Sequence, residues 1–210
     1  EYPSEAVMLP GNNQIKIPVK KQLNKAADLI NNSKKPVILA GHGILLSGAS
    51  IEVIKLAEIA SCPVTWTLLG SGAVPASHPL NMGMMGMHGE FAVNNAIQEA
   101  DLLIACGMRF DDRVTGDVST YSPNSKKIHI DIDPSEINKI IKVDVGINCD
   151  LKNTLNNLLS LINRKQNHIW FEKIKQWQLE SLVKDVGLEN SVVITREQKM
   201  GPSVFVELDF

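Results

Sequence analysis

The stretch Pro36-Val37-Ile38-Leu39-Ala40-Gly41-His42-Gly43 joins a short, continuous apolar run to a glycine turn. An apolar run of this length, bounded by proline and glycine, is typical of a parallel strand that is covered on both faces. The spacing of apolar residues predicts a helix before it, over residues 19–31, and a second helix after it, over residues 50–60. A helix, a buried strand and a further helix in succession indicate an α/β layer.

The same alternation continues along the chain. Residues 70–89 are rich in glycine and residues 109–125 are polar, so both stretches are predicted as loops. Because helices alternate with at least four buried strands, we expect a doubly wound α/β fold with a mostly parallel sheet and right-handed crossovers. The remaining predicted elements are strands at residues 63–67, 101–105 and 127–131, a helix over residues 91–99, and a helix over residues 151–162 capped by Asp150.

Changes in composition suggest how the chain is divided. Residues 1–17 are predicted to be an extended leading segment and residues 18–162 the α/β domain. Residues 163–180 are predicted to be a helical linker, since Trp170, Ile174 and Trp177 have helical spacing. Residues 181–210 form a tail with strand candidates at 192–194 and 203–209. A sequence that begins on Glu1 suggests an excerpt from a longer protein.

Composition and charge exclude several classes of function. The 210 residues are 44% hydrophobic and 21% charged, as in ordinary globular proteins. With 21 basic and 23 acidic residues, the net charge of −2 gives no bulk attraction to nucleic acid or to a membrane surface. No leader pattern and no apolar run of membrane-spanning length occurs, so a cytoplasmic location is expected.

Known catalytic and metal-binding motifs are also missing from the sequence. Cys62, Cys106 and Cys149 lie far apart, which predicts buried free thiols rather than a metal or redox site. There is no nucleophile elbow, Walker loop or metal-binding helix motif. We therefore assign no catalytic residue and no metal ligand to this chain.

The informative segments follow the predicted strands, because open parallel sheets bind ligands at the carboxyl ends of their strands. The turn with Gly41 and Gly43 could bring backbone close to a ligand, although a simple tight turn explains it equally. The stretch 82–89 holds four methionines and three glycines. It suits either a flat conjugated ring or a loop that merely fills space.

Two further segments carry charge. The stretch 107–116 includes Arg109 and Arg113, whose planar groups suit phosphate oxygens, unless the loop simply neutralises itself at the surface. Asp131 ends a predicted strand and could accept hydrogen bonds from ribose hydroxyls, or shape a turn before Pro134. Taken together, the four segments predict an adenine dinucleotide laid across the edge of the sheet.

Three runs in this order carry a family resemblance: Met84-Met85-Gly86-Met87-His88-Gly89, then Gly107-Met108-Arg109-Phe110-Asp111-Asp112-Arg113-Val114-Thr115-Gly116, then Ile128-His129-Ile130-Asp131-Ile132-Asp133-Pro134. They closely resemble the central domain of the large, catalytic subunit of acetolactate (acetohydroxyacid) synthases, which are thiamine-diphosphate enzymes. The resemblance implies a Rossmann-like domain that binds FAD without redox chemistry. It also implies a parent transferase that condenses two 2-keto acids, pyruvate with pyruvate or 2-ketobutyrate, in branched-chain amino-acid biosynthesis.

The resemblance also implies which residues would contact FAD. The turn after the first strand, the segment after the second strand and the methionine-rich stretch would each supply contacts. The arginine-rich turn would hold the diphosphate and the ribityl chain. Asp131, Ile132 and Asp150 would contact the adenosine. In chain order these residues are Gly41, Gly43, Thr67, Leu68, Met85, Gly86, Met87, His88, Gly107, Arg109, Asp111, Arg113, Val114, Asp131, Ile132 and Asp150.

Other implications concern the full-length enzyme. Thiamine diphosphate and magnesium would bind there through a glutamate and a Gly-Asp-Gly…Asn motif that this sequence does not contain, so the chain should be inactive alone. The expected partners are a second copy of the large subunit and a regulatory small subunit, in the cytoplasm or, in a eukaryote, in an organelle matrix. Met8 and Cys149 depart from the residues common in the family at those positions.

Two alternatives remain open. The sheet-end glycines alone would also suit a Rossmann-like oxidoreductase module that uses NAD or FAD. A degenerate fragment that binds no cofactor and serves subunit association would leave apolar surface exposed.

Overall fold

The computed structural model describes the backbone of residues 17–185 and the side chains of residues 17–181. The strand candidates at 192–194 and 203–209 lie outside these residues, as does Met8. The division of the chain at residues 17, 162 and 180 therefore stays a prediction.

Six strands form a single sheet in which every neighbouring pair is parallel. The strands are β1 (Pro36–Ala40), β2 (Val64–Trp66), β3 (Asn81–Met84), β4 (Leu102–Cys106), β5 (Lys126–Asp131) and β6 (Val145–Asn148). Their spatial order is β3-β2-β1-β4-β5-β6, the order of the doubly wound dinucleotide-binding folds. The predicted fold class is confirmed.

Helices cover both faces of the sheet. They are α1 (Lys20–Asn32), α2 (Gly43–Leu46), α3 (Ser50–Ala60), α4 (Phe91–Glu99), α5 (Asp112–Thr115), α6 (Leu151–Leu159) and α7 (His168–Asp185), with a 3-10 turn at Leu68–Gly70. Helices α1, α3 and α6 pack with one another on the first face, and α4 packs with α7 on the second.

Strand β1 shows why the central strands are apolar throughout. All five of its residues are buried. Ile38 and Ala40 join the core on the first face, whereas Val37 and Leu39 join the core on the second. Because successive side chains of a strand point to opposite faces, a strand covered on both sides needs apolar residues at every position.

Helix α7 completes the second face. Trp170 and Ile174 are buried in that core, and the indole Nε1 of Trp170 donates to the carbonyl oxygen of Pro36 at 3.2 Å. The helix predicted from the spacing of Trp170, Ile174 and Trp177 is therefore present, and it lies against α4.

Four short elements were not predicted. Strand β3 lies within the stretch predicted as a loop, and β6 was assigned no structure; α2 and α5 fall in a predicted turn and loop. The four residues of β3, Asn-Met-Gly-Met, have little intrinsic strand preference. Its pairing with β2 supplies what its own sequence does not, with Val64 opposite Asn81 and Trp66 opposite Met84.

The sheet order locates the region of interest. The chain passes from β1 to β2 on one side and later returns to β4 on the other side of β1. In such sheets a crevice opens at this reversal, outside the carboxyl ends of the strands. Within the described residues, no helix is long and apolar enough to cross a bilayer.

Candidate functional site

The predicted site residues all lie at one edge of the sheet. Each stands at the end of a strand or in the segment that follows it, and parallel strands bring their carboxyl ends to the same edge. With about 4.8 Å between neighbouring strands, the edge from β3 to β6 extends roughly 24 Å. The structure therefore brings the predicted residues together as one elongated surface.

The centre of this edge is a crossing of two turns, one after β1 and one after β4. The amide of Gly43 donates to the carbonyl of Gly107 at 2.9 Å, and the amide of Gly41 donates to Cys106 at 2.9 Å. A Cβ atom on Gly41 would lie 2.2 Å from the carbonyl oxygen of Gly107, and one on Gly43 would lie 2.7 Å from the Gly107 Cα. Close approach of the two backbones thus explains all three glycines structurally, while their contact with a ligand stays a prediction.

The segment after β2 is ordered by Thr67. Its amide donates to the carbonyl of Ala40 at 3.0 Å, and its hydroxyl accepts from the amide of Gly70 at 3.2 Å. These bonds turn the chain so that Leu68 is 74% exposed at the edge. Sequence reasoning missed Gly70, where a Cβ would lie 2.3 Å from the carbonyl oxygen of Ala40.

The methionine-rich segment, residues 82–89, covers the last part of β3 and the turn that follows it. Met85 is buried, whereas Met87 is 64% exposed and His88 is exposed as well. Gly86 between them has a φ of 94°, in the region that favours glycine. The amide of Met87 donates to the carbonyl of Arg113 at 2.8 Å, which ties this segment to the turn after β4.

The turn after β4 carries the positive charge. Arg109 is exposed, and among the described residues its side chain pairs through Nε alone, with Asp111 Oδ2 at 3.2 Å. Arg113 is exposed and makes no side-chain hydrogen bond or ion pair within residues 17–181. The second oxygen of Asp111, Oδ1, is buried and has no partner among the described residues. Val114 is half-buried against the second core.

A buried residue that sequence reasoning missed, His129, bonds to the backbone of this turn. His129 on β5 is fully buried, and its Nε2 lies 2.8 Å from the carbonyl oxygen of Met108. Because a carbonyl can only accept, Nε2 carries the hydrogen. Burial lowers the pKa of His129 below its ordinary value, with the bond to Met108 and the nearby Asp131 opposing this shift. The ring also packs edge-on against Phe110.

The far end of the edge carries carboxylates. Asp131 accepts from the amide of Asp133 at 2.8 Å, and burial raises its pKa. Asp150 caps α6 by accepting from the amide of Asn153 at 2.8 Å. Both residues therefore have structural roles, and the adenosine contacts assigned to them stay predictions. Ile132, which follows Asp131, is 58% exposed.

Along the edge these residues form three chemically distinct zones. Exposed apolar side chains, Met87 and Leu68, mark the β3 and β2 end, Arg113 lies beside Met87, Arg109 follows β4 at the centre, and Asp131 lies towards β6. This order suits an apolar planar group, then phosphates, then a hydroxyl-bearing sugar. Among the described residues no group of histidine, cysteine, aspartate and glutamate could hold a metal ion, and Cys62, Cys106 and Cys149 are buried.

Comparison with known proteins gives a consistent result. Residues 23–158 match the family described as "Thiamine pyrophosphate enzyme, central domain". The chain is 48% identical over 178 residues to the "Probable acetolactate synthase large subunit" of Methanocaldococcus jannaschii, covering 83% of this chain and 30% of the relative. It is 45% identical over 169 residues to the "Acetolactate synthase large subunit" of Corynebacterium glutamicum, covering 80% and 27%. The Mycobacterium tuberculosis large subunit is 44% identical over 161 residues, with 77% and 26% covered.

Proposed function

The chain belongs to the family of thiamine pyrophosphate enzyme central domains, and we propose that it is the FAD-binding part of an acetolactate synthase. The matched relatives are named acetolactate synthase large subunits, and the chain spans about 30% of their length. The activity we propose for the parent enzyme is the condensation of two 2-keto acids, pyruvate with pyruvate or 2-ketobutyrate, in branched-chain amino-acid biosynthesis.

The cofactor proposal rests on the hydrogen-bonding partners of the charged side chains in the turn after β4. Within residues 17–181, the terminal nitrogens of Arg109 make no hydrogen bond or ion pair, and neither does the side chain of Arg113. Asp111 fixes Arg109 through one oxygen and keeps the other buried and unpaired. Unpaired guanidinium donors suit a diphosphate, because guanidinium groups donate pairs of hydrogen bonds to phosphate oxygens.

The two flanking zones would hold the rest of FAD. The exposed faces of Met87 and Leu68 would contact the flavin ring, and the carboxylate of Asp131 would accept from ribose hydroxyls. In this proposal the bound flavin supplies an ordered apolar surface and no electrons. The residues of this chain bind and orient it, and they exclude water from the contact.

We expect the chain alone to form no acetolactate. The thiamine-activating glutamate and the magnesium-binding motif that the family resemblance implies do not occur in this sequence. In the parent enzyme we propose a second large subunit and a regulatory small subunit as partners, in the cytoplasm or an organelle matrix.

Replacing both arginines tests the cofactor site. The double variant Arg109→Ala/Arg113→Ala should raise the dissociation constant for FAD by at least about 100-fold, since each hydrogen bond to a charged group contributes about 1.5–3 kcal/mol. Flavin fluorescence titration measures this change.

Arg164→Ala is the matched control. Arg164 is exposed in the loop after α6, beside Asn163, whose amide bonds to the end of α1. It should bind FAD as tightly as the unmodified chain. Equal affinity of the double variant and this control would reject the arginine assignment.

The oxidoreductase alternative predicts NAD or FAD binding with hydride transfer, and the fragment alternative predicts no cofactor at all. No observation in the structure favours either of them over the proposal.

A further inference from the structure

Asn94, in the first turn of α4, makes a paired contact with one residue of the methionine-rich segment. Its side-chain oxygen accepts from the amide of Gly86 at 3.0 Å, and its side-chain nitrogen donates to the carbonyl of Gly86 at 3.0 Å. Both polar groups of one glycine are thus held by one amide.

The held residue has a conformation that needs support. Gly86 has a φ of 94°, and a Cβ placed on it would lie 2.5 Å from the carbonyl oxygen of Arg113. That same carbonyl accepts from the amide of Met87. The turn is therefore pinned on one side by the Arg113 backbone and on the other side by the Asn94 amide.

Packing does not replace the amide. Asn94, Gly86, Met87 and Arg113 line a cleft of about 310 Å³, together with Tyr121 and residues of α5. On the side of the cleft the turn has no close-packed neighbour, so the hydrogen bonds to Asn94 add to the contact with the Arg113 backbone in setting its position. Rotation of Gly86 would move Met87, whose side chain is 64% exposed at the edge.

We propose that Asn94 is a positioning residue that fixes the Gly86 turn and thereby presents Met87 to the flavin ring. This proposal rests on the proposed function. Both groups of the Asn94 side-chain amide are used by the Gly86 backbone, so we expect Asn94 to act through that backbone and not by touching the cofactor.

Neighbouring Asn95 provides a matched control. It belongs to the same helix and is half-buried, and its side chain makes no hydrogen bond within residues 17–181. Asn94→Leu and Asn95→Leu thus remove the same groups from adjacent positions. The first breaks the contact with Gly86, and the second does not.

Amide hydrogen exchange tests the turn without any ligand. In Asn94→Leu the amides of Gly86 and Met87 should exchange at least about tenfold faster, since a lost neutral hydrogen bond is worth about 1 kcal/mol and two are lost. The amides of Gly41 and Gly107, in the crossing of turns, should be unchanged. Equal exchange in Asn94→Leu and Asn95→Leu would overturn the proposal.

Ligand binding separates positioning from general damage. Asn94→Leu should weaken FAD about tenfold but change the affinity for ADP, which lacks the flavin, by less than about threefold. An equal loss for both ligands would show that the variant merely damages the fold. If the unmodified chain binds no FAD, the proposed function fails, and hydrogen exchange alone decides whether Asn94 fixes the turn.

An isosteric variant adds a pH signature. In Asn94→Asp the carboxylate can accept from the Gly86 amide but repels the Gly86 carbonyl. Protonation restores a donor, so its exchange defect should shrink as the pH falls towards the ordinary carboxyl pKa of about 4. The defect of Asn94→Leu should not change with pH. A pH-independent defect in Asn94→Asp would contradict the paired hydrogen-bond geometry.

Discussion

His129 illustrates how a buried side chain shapes this edge without reaching it. Its Nε2 donates to the carbonyl of Met108, directly before Arg109. The other ring nitrogen, Nδ1, is buried and unpartnered among the described residues. A neutral ring meets these conditions, whereas protonation would place a second hydrogen and a charge in an apolar core.

This arrangement predicts a pH dependence of stability. Burial lowers the folded-state pKa of His129, so the unfolded chain takes up its proton first, below about pH 6.5. The stabilisation is complete above that pH and is lost as the pH falls towards the lowered folded-state pKa. The charges of Asp131 and Glu136 oppose this shift of the pKa. Thermal unfolding as a function of pH should show this decline, and His129→Leu should lack that part of it.

The exposed His168 is the control for this experiment. His168→Gln should retain the decline of the unmodified chain. The His129→Leu variant should also be less stable at neutral pH by about 1–3 kcal/mol, because the Met108 carbonyl loses its donor. Parallel pH profiles for His129→Leu and the unmodified chain would contradict this role.

At the scale of single residues, the sequence indicated which side chains lie at the site but not which residues they contact. Arg109 and Asp131 were predicted from their position after strands, and both lie at the edge. His129 and Asn94 were missed because their roles depend on contacts with distant residues. His129 bonds to a residue that lies 21 positions away in the sequence, and Asn94 bonds to one that lies eight positions away. A histidine in a strand and an asparagine in a helix carry no local signal of such contacts.

Among the helices, α7 is the element whose contribution is easiest to measure. Trp170 is 4% exposed, lies edge-on to Trp177 and donates to the Pro36 carbonyl of β1. Trp170→Ala should therefore destabilise the chain by about 3–5 kcal/mol in denaturant unfolding, through lost burial and a cavity.

Its neighbour Ile169 is 85% exposed and serves as the control. Ile169→Ala should change the free energy of unfolding by less than about 0.5 kcal/mol. If the two variants unfolded alike, α7 would contribute nothing to the core, and its packing against α4 would be wrong.

The elements that sequence predicted well are those with long apolar patterns. Strands β1, β4 and β5 and helices α1, α3, α4 and α6 have their own periodicity, and the structure places each within three residues of its predicted ends. Strands β3 and β6, the two outermost strands of the sheet, are four residues long and contain glycine. Their strand conformation comes from pairing with β2 and β5, which local sequence does not encode.

At the scale of the whole molecule, one sheet separates two apolar cores and presents one edge for binding. The net charge of −2 gives no long-range attraction to an anionic ligand. The proposed binding of a dinucleotide would therefore depend on local donors, those of Arg109 and Arg113. The fold class follows from the sequence, whereas the pairing state of those donors needed the structure.

We propose that the carboxyl ends of the strands bind FAD in this chain. Titration of the purified chain with FAD, followed by flavin fluorescence and thermal shift and repeated with NAD, tests it most directly. We predict saturable FAD binding with a raised melting temperature, and no binding of NAD. Binding of neither ligand, or of NAD in preference to FAD, would contradict the account.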